Sequence, residues 1–129
     1  MNHLIEARSD SLQQLCISTS RLTDDSYSNF HKLTSLKKLS IDECVKLGPS
    51  GLKSIVRLKC LEWLNLRFAG ELLPQDIIGA MEQSDLHCLT YLDMSLCLKL
   101  DDNSLLAIAK ACPSLTSVRL ERNNTNDRC

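Results

Sequence analysis

The sequence predicts an α/β fold in which short parallel strands alternate with helices in one continuous stack. A six-residue phrase with apolar residues at its first, fourth and sixth positions occurs five times. Its copies begin at intervals of 24, 25, 28 and 26 residues, which leaves room for a helix and its turns between successive phrases. Strands that all run in one direction need such crossover connections. The phrases begin at Leu12, Leu36, Leu61, Leu89 and Leu115.

The phrase and its period are typical of leucine-rich repeats, whose period is about 20–29 residues. We therefore expect the apolar positions of each strand to point into one core. Because βαβ crossovers are almost always right-handed, the pattern predicts a curved solenoid of about five strands, with a parallel sheet on the concave side and helices on the convex side. Repeat proteins of this kind offer extended concave binding surfaces.

The 129 residues are predicted to form a single domain. An N-terminal half-repeat or helix is expected before the first phrase, and a polar tail after the last. The predicted segments are the half-repeat 1–11, the repeats 12–35, 36–60, 61–88 and 89–114, the last strand 115–120 and the tail 121–129.

Each repeat carries helix signals after its strand. In the first repeat, Asp24 or Asp25 is predicted to cap a helix, because a carboxylate there accepts hydrogen bonds from the free N–H groups of the first turn. In the third repeat, Pro74 suits a first helical turn, where its missing N–H is harmless. The residues expected to pack into the core from the helical segments of the first, second and third repeats are Tyr27, Phe30, Leu33, Leu52, Ile55, Leu58, Ile77, Ile78 and Met81.

The fourth repeat is the clearest copy. Asp101 or Asp102 is predicted to cap a helix over 103–111, and Pro113 ends it because proline disfavours helix at the residue before it. The inward residues of this helix are predicted to be Leu105, Ile108 and Ala109, at helical spacing.

Three cysteines make the pattern more specific. Cys44 and Cys97 each lie eight residues after the first leucine of a phrase, at the turn that follows the strand. Together with Cys112, they make the second and fourth repeats resemble the cysteine-containing leucine-rich repeat. That subtype is best known from the substrate-recognition repeats of F-box/LRR proteins. The resemblance implies substrate recognition or adaptor work related to SCF-type ubiquitin ligases, with Cys44, Cys97 and Cys112 as structural repeat residues. The residues before Leu12 in this sequence are too few for an F-box, so we expect only the recognition part to apply to this segment.

Composition and charge argue against some classes of partner. The formal net charge is −1, from 15 basic and 16 acidic residues, so the chain offers no strong positive field for nucleic acid or an anionic membrane. No apolar stretch approaches the ~20 residues needed to cross a bilayer, and no secretory signal is recognisable at the N-terminus. We therefore expect a cytoplasmic or nuclear protein in a reducing compartment.

No residue pattern indicates a cofactor, a metal site or an enzyme. The seven cysteines form no CxxC pair, and the three histidines are scattered. Neither a Gly-rich phosphate loop nor a GxSxG or HExxH motif is present. A thiol-dependent enzyme or redox protein using Cys16 is a remote alternative. A scaffold, assembly or regulatory repeat protein with no ubiquitin connection is the closer one.

The free positions of the strands predict where a protein partner binds. The third and fifth residues of each phrase, and the residue that follows the phrase, are predicted to point to the concave side. The single tryptophan and one of two tyrosines occupy the third position in neighbouring repeats. Such residues dominate binding hot spots. Alternatively, Trp63 and Tyr91 simply stack as a cross-strand pair. We expect a monomer or a part of a larger complex, with a concave partner-binding face built from Trp63, Tyr91, Arg67, Asp93, Asn65, Arg119, Phe68, Lys38, Asp42 and Glu121.

Overall fold

The structure is a computed structural model that describes residues 5, 7–18, 21–97 and 99–121. Across these residues the chain forms an α/β fold with a five-stranded parallel sheet and four α-helices. The strands are β1 Gln14–Ile17, β2 Lys38–Ile41, β3 Trp63–Asn65, β4 Tyr91–Asp93 and β5 Ser117–Arg119. The helices are α1 Asp24–Tyr27, α2 Pro49–Ile55, α3 Pro74–Glu82 and α4 Asp102–Ala111, with a 3₁₀ helix at Phe30–Lys32.

The strands pair in chain order and in one register. Each residue lies opposite the residue at the same position of the neighbouring phrase, so Lys38 pairs with Trp63, and Trp63 with Tyr91. The strands begin two residues after the first leucine of each phrase, slightly later than the phrase itself. This register confirms the columns that the repeated phrase predicts.

The leucines at the fourth position of the phrase form a buried column. Leu39, Leu64 and Leu92 are almost inaccessible, and they share one core with the inward residues of the helices. Val118 occupies the same column in β5 but is 44% exposed. Because no further strand lies beyond β5 in the described part of the chain, the core side of this edge strand is uncovered.

The fourth-repeat helix confirms one predicted cap and corrects one predicted core residue. Asp101 is the cap, and its Oδ1 accepts hydrogen bonds from the backbone N–H and the hydroxyl of Ser104, each at 2.8 Å. Ala109 is exposed, so its predicted core position is wrong. Ser104 is buried instead, because its hydroxyl is satisfied by Asp101 and the buried stripe passes through Ser104 and Ile108.

The first-repeat cap prediction is wrong. Thr23 is the N-cap of α1, and no side chain caps this one-turn helix. Asp24 instead accepts hydrogen bonds from the N–H groups of Gly48 and Gly51, at 2.9 and 2.6 Å, in the next repeat. The carboxylate therefore caps α2, whose own N-cap residue is a glycine without a side chain.

The first-turn prediction for Pro74 is confirmed, because it is the first residue of α3. The predicted core position of Ile78 is wrong, since this residue is only half-buried and is not part of the core. Ile5 is buried in the core, whereas residues 1–4 and 6 of the predicted half-repeat and 122–129 of the predicted tail lie outside the described residues. In the described part of the chain, no helix is long and apolar enough to span a membrane. The buried predicted residues are Tyr27, Phe30, Leu33, Leu52, Ile55, Leu58, Ile77 and Met81.

Candidate functional site

The aromatic residues of the third-position column are in direct contact. The rings of Trp63 and Tyr91 stack with their centroids 4.7 Å apart and their planes 6° from parallel. Neighbouring strands lie about 4.8 Å apart, so side chains at paired positions meet at stacking distance. Both rings are half-buried on the face of the sheet opposite the leucine column, which we call the outer face.

A lysine extends this stack by one strand. The Nζ atom of Lys38 lies 4.6 Å from the centroid of the Trp63 ring, within the range of a cation–π interaction. Lys38 is also half-buried. The three residues form the Lys38–Trp63–Tyr91 ladder, and the exposed side chains of Gln14 and Ser117 occupy the same column at its two ends.

The fifth-position column is polar and mostly inaccessible. Asn65 is 6% exposed, and its Nδ2 donates hydrogen bonds to Ser40 Oγ at 3.1 Å and to Asp42 Oδ1 at 2.7 Å. Asp93 is 7% exposed and accepts a hydrogen bond from the Ser95 N–H at 2.9 Å. Asn65 therefore links the ends of β2 and β3, and Asp93 holds the turn that follows its own strand. Both offer little surface to a partner, whereas Asp42 is exposed.

Arg67 and Phe68 lie together just after β3. The guanidinium carbon of Arg67 is 5.9 Å from the centroid of the Phe68 ring. Within the described residues, the buried Nε of Arg67 has no hydrogen-bond partner. Phe68 is 41% exposed and has a φ of 64°, in the left-handed region. This turn therefore places an apolar ring and a cation side by side at the end of the sheet.

Arg119 and Glu121 form a pair at the edge strand. Nη2 of Arg119 donates to Oε1 of Glu121 at 2.7 Å, and both side chains are exposed. The carboxylate of Glu121 raises the pKa of Arg119 above its ordinary value. Because water and salt screen exposed ion pairs, this pair adds little to the stability of the fold.

The three repeat cysteines are buried. The Sγ of Cys44 donates to the carbonyl of Arg67 at 3.2 Å, and the Sγ of Cys97 donates to the carbonyl of Leu66 at 3.4 Å. Burial raises the pKa of all three thiols, to about 12 for Cys97 and about 11 for Cys112. A thiol with so high a pKa is a poor nucleophile, so these cysteines are packing residues of the turns and core.

A polar groove on the helix side was not anticipated from the sequence. It is a cavity of about 360 Å³ whose lining includes His31, Lys53 and Arg57. Nδ1 of His31 lies 3.0 Å from the Oγ of Ser54. The lining residues come from separate repeats without a motif, so no sequence signal could have identified them. Among the described residues, no group of three or more His, Cys, Asp or Glu could hold a metal ion.

Comparisons with known proteins bear mainly on the fold. No protein-family model matches the chain, and no curated protein matches it. It resembles a chain in the crystal structure of the Rad7 and Elc1 complex from yeast, with a TM-score of 0.72 and 26% sequence identity. The likeness covers 87% of this chain and 29% of that chain, so this chain spans less than a third of its neighbour's length. In that crystal structure Rad7 is in complex with Elc1.

Proposed function

We propose that this chain is a non-catalytic protein-recognition module, a leucine-rich-repeat solenoid that binds a protein partner on its concave face. The observation that carries the proposal is the Lys38–Trp63–Tyr91 ladder. It places the single tryptophan and a tyrosine in contact on the outer face of the sheet, which is the concave face of the proposed solenoid. Both rings are half-buried, and a cation lies beside them. Tryptophan and tyrosine provide large contact areas with few rotatable bonds, which makes them frequent hot-spot residues.

The ladder is ordered before any partner arrives. Stacking holds the rings of Trp63 and Tyr91, and the ammonium group of Lys38 packs against the Trp63 ring. Side chains that are already ordered lose less conformational entropy on binding. The exposed Asp42 and the neighbouring Arg67 and Phe68 provide polar and apolar contacts around the ladder.

The cellular role follows from the resemblance to cysteine-containing repeats of F-box/LRR proteins. We propose substrate recognition or adaptor work related to SCF-type ubiquitin ligases, in the cytoplasm or nucleus and without a cofactor. The partnership of the yeast neighbour with another protein supports a place in a larger complex. The buried, high-pKa state of Cys97 and Cys112 supports a binding role over thiol catalysis at those positions.

The test combines partner capture with direct affinity measurement. Wild type, Trp63→Ala, Tyr91→Ala and the helix-side control Leu106→Ala are immobilised, and proteins retained from a cell extract are identified. Leu106 is a suitable control because it is 54% exposed on α4, away from the ladder. The retained partner is then purified and its Kd is measured for each variant, with Tm recorded in parallel.

We expect the Trp63→Ala and Tyr91→Ala variants to bind the partner at least about tenfold more weakly, as for hot-spot residues, and Leu106→Ala to bind normally. Unchanged affinity combined with a lower Tm would show that the ladder only stabilises the sheet. Recovery of Skp1 and cullin components with the partner would support the ubiquitin-ligase role. A ladder-dependent partner without those components would favour a scaffold or assembly role.

A further inference from the structure

The residue immediately before each phrase forms a separate column. Because Trp63 pairs with Tyr91, the residues three positions earlier, Cys60 and Cys88, occupy matching positions in adjacent repeats. The pairing extends toward them, since the N–H of Thr90 donates to the carbonyl of Glu62 at 2.8 Å. The column consists of Ser11, Ser35, Cys60, Cys88 and Ser114.

The serines of this column show where its side chains point. Ser114 Oγ donates to the carbonyl of His87 at 2.7 Å, and Ser35 Oγ donates to the carbonyl of Asp10 at 2.8 Å. In both cases the side chain reaches the peptide group just before the column residue of the preceding repeat. By analogy with these serines, we expect a side chain at position 88 to be able to reach the peptide group that precedes Cys60.

Exposure and spacing distinguish this pair from the other described cysteines. Cys60 and Cys88 are both exposed, whereas Cys44, Cys97 and Cys112 are buried. Both cysteines precede their strands, and we expect the spacing of adjacent strands, about 4.8 Å, to continue to them, because the hydrogen bond from Thr90 to Glu62 extends the pairing in their direction. Disulfides join residues whose Cα atoms are about 4.4–6.8 Å apart. Cys16 is also exposed, but it lies opposite Ser40 in the neighbouring strand, so no second thiol occupies the matching position.

We propose that Cys60 and Cys88 form a reversible redox-modification site, a dithiol that closes to a disulfide on reaction with a peroxide. One thiolate attacks a peroxide oxygen of hydrogen peroxide, which gives a sulfenic acid and, with a proton, one molecule of water. The second thiol loses its proton and attacks the sulfenic sulfur to form the S–S bond, and the displaced hydroxide takes up that proton as a second water. Two thiols are thereby oxidised and one peroxide is reduced, and a thiol reductant reverses the reaction.

The location of the pair gives the modification a structural consequence. Cys60 and Cys88 precede the ladder residues Trp63 and Tyr91 by three positions each, so the disulfide joins the two chain segments that enter β3 and β4. A cross-link compatible with the native structure restricts the unfolded chain. Oxidation is therefore expected to raise Tm, whether or not the ladder binds a partner.

The test uses the purified, fully reduced chain. It is treated with hydrogen peroxide, its remaining thiols are blocked with N-ethylmaleimide, and it is digested and analysed by mass spectrometry with fragment sequencing. We expect one peptide pair joined through Cys60 and Cys88, a loss of about 2 Da for the intact chain, and full reversal by dithiothreitol. The Cys16→Ser variant should behave as wild type, and Cys88→Ser should lose both the mass change and the rise in Tm.

Cys88→Ser is a suitable control because serine already occupies the same column at Ser35 and Ser114. Separate oxidation of Cys60 and Cys88 to sulfinic acids, with no bond between them, would overturn the proposal. Intermolecular dimers through either cysteine on a non-reducing gel, in place of the intramolecular link, would also overturn it.

Discussion

Oδ1 of Asp24 lies 2.6 Å from the backbone nitrogen of Gly51, and this contact links the first repeat to the second. The same oxygen accepts a hydrogen bond from the N–H of Gly48 at 2.9 Å. Free N–H groups in the first turn of a helix require acceptors, and α2 obtains them from the preceding repeat. The repeats are therefore joined by a side chain as well as by the shared core.

Removal of this cap is expected to destabilise the fold. Asp24→Ala should lower the free energy of unfolding by about 1 to 2 kcal/mol, the usual cost of losing an N-cap side chain. Urea denaturation monitored by circular dichroism measures the change. Asp25→Ala is the matched control, because Asp25 is exposed and such surface changes stay within about 0.5 kcal/mol. Equal losses in the two variants would contradict the cap.

Two helical glycines are expected to respond in opposite directions to alanine. A Cβ at Gly51 would lie 2.7 Å from Asp24 Oδ1, Leu47 Cδ1 and Tyr27 Cβ, whereas a Cβ at Gly79 would meet nothing within 4 Å. Gly51→Ala should therefore lower the free energy of unfolding, because Asp24 and Tyr27 would have to shift away from α2 to make room for the added methyl group. Gly79→Ala should raise it by about 0.5 to 1 kcal/mol, since alanine favours the helix. Thermal and urea unfolding of the two variants compare them directly.

Asp101 is expected to contribute to the loss of stability in acid. Its hydrogen bonds from the N–H and hydroxyl of Ser104 lower the pKa of its carboxyl below the ordinary value of 3.8. A carboxyl with a lowered folded-state pKa stabilises the fold above its unfolded-state pKa, and this contribution is lost as the pH falls through the folded-state pKa.

The measurement is Tm between pH 5 and pH 2 for wild type and Asp101→Asn, a range of pH that brackets carboxyl titration. Asparagine keeps an oxygen that can cap α4 but does not titrate. We expect the Tm of wild type to fall more steeply than that of Asp101→Asn below about pH 4. Parallel curves would show that the Ser104 hydrogen bonds do not depend on the charge of Asp101.

The turn after β4 is expected to favour glycine. Leu96 has a φ of 63°, and its N–H donates to the carbonyl of Glu121 at 2.9 Å, which holds the turn in place. A left-handed backbone costs a residue with a Cβ about 1 to 2 kcal/mol. Leu96→Gly should therefore be more stable than Leu96→Ala by about 1 kcal/mol, as measured by urea unfolding.

Glu43 provides the matched position for this comparison. Glu43 lies as far after Leu36 as Leu96 lies after Leu89, so the two residues hold the same position in their repeats. Glu43, however, is not among the described residues with positive φ. At this position the order should reverse, so that Glu43→Ala is more stable than Glu43→Gly. The same order at both positions would mean that backbone strain does not decide the outcome.

Much of the architecture could be predicted because the phrase recurs at a nearly constant interval. Equal positions of consecutive phrases become neighbours once parallel strands pair in one register. The contact between Trp63 and Tyr91 therefore follows from their shared third position, and the structure confirms it. The same reasoning placed Lys38 on Trp63's other side, although the cation–π contact itself depends on the conformation of the lysine side chain.

The sequence by itself determined the strand columns, the apolar core and the neighbouring aromatic rings, because these depend on spacing along the chain. Only the tertiary structure decided which polar side chains remain available. Asn65 lies on the predicted face but is buried, and it donates hydrogen bonds to Ser40 and Asp42 of the preceding repeat. Asp24 caps the helix of the next repeat instead of its own. Such contacts depend on distances between repeats, and a pattern read within one repeat carries no information about them.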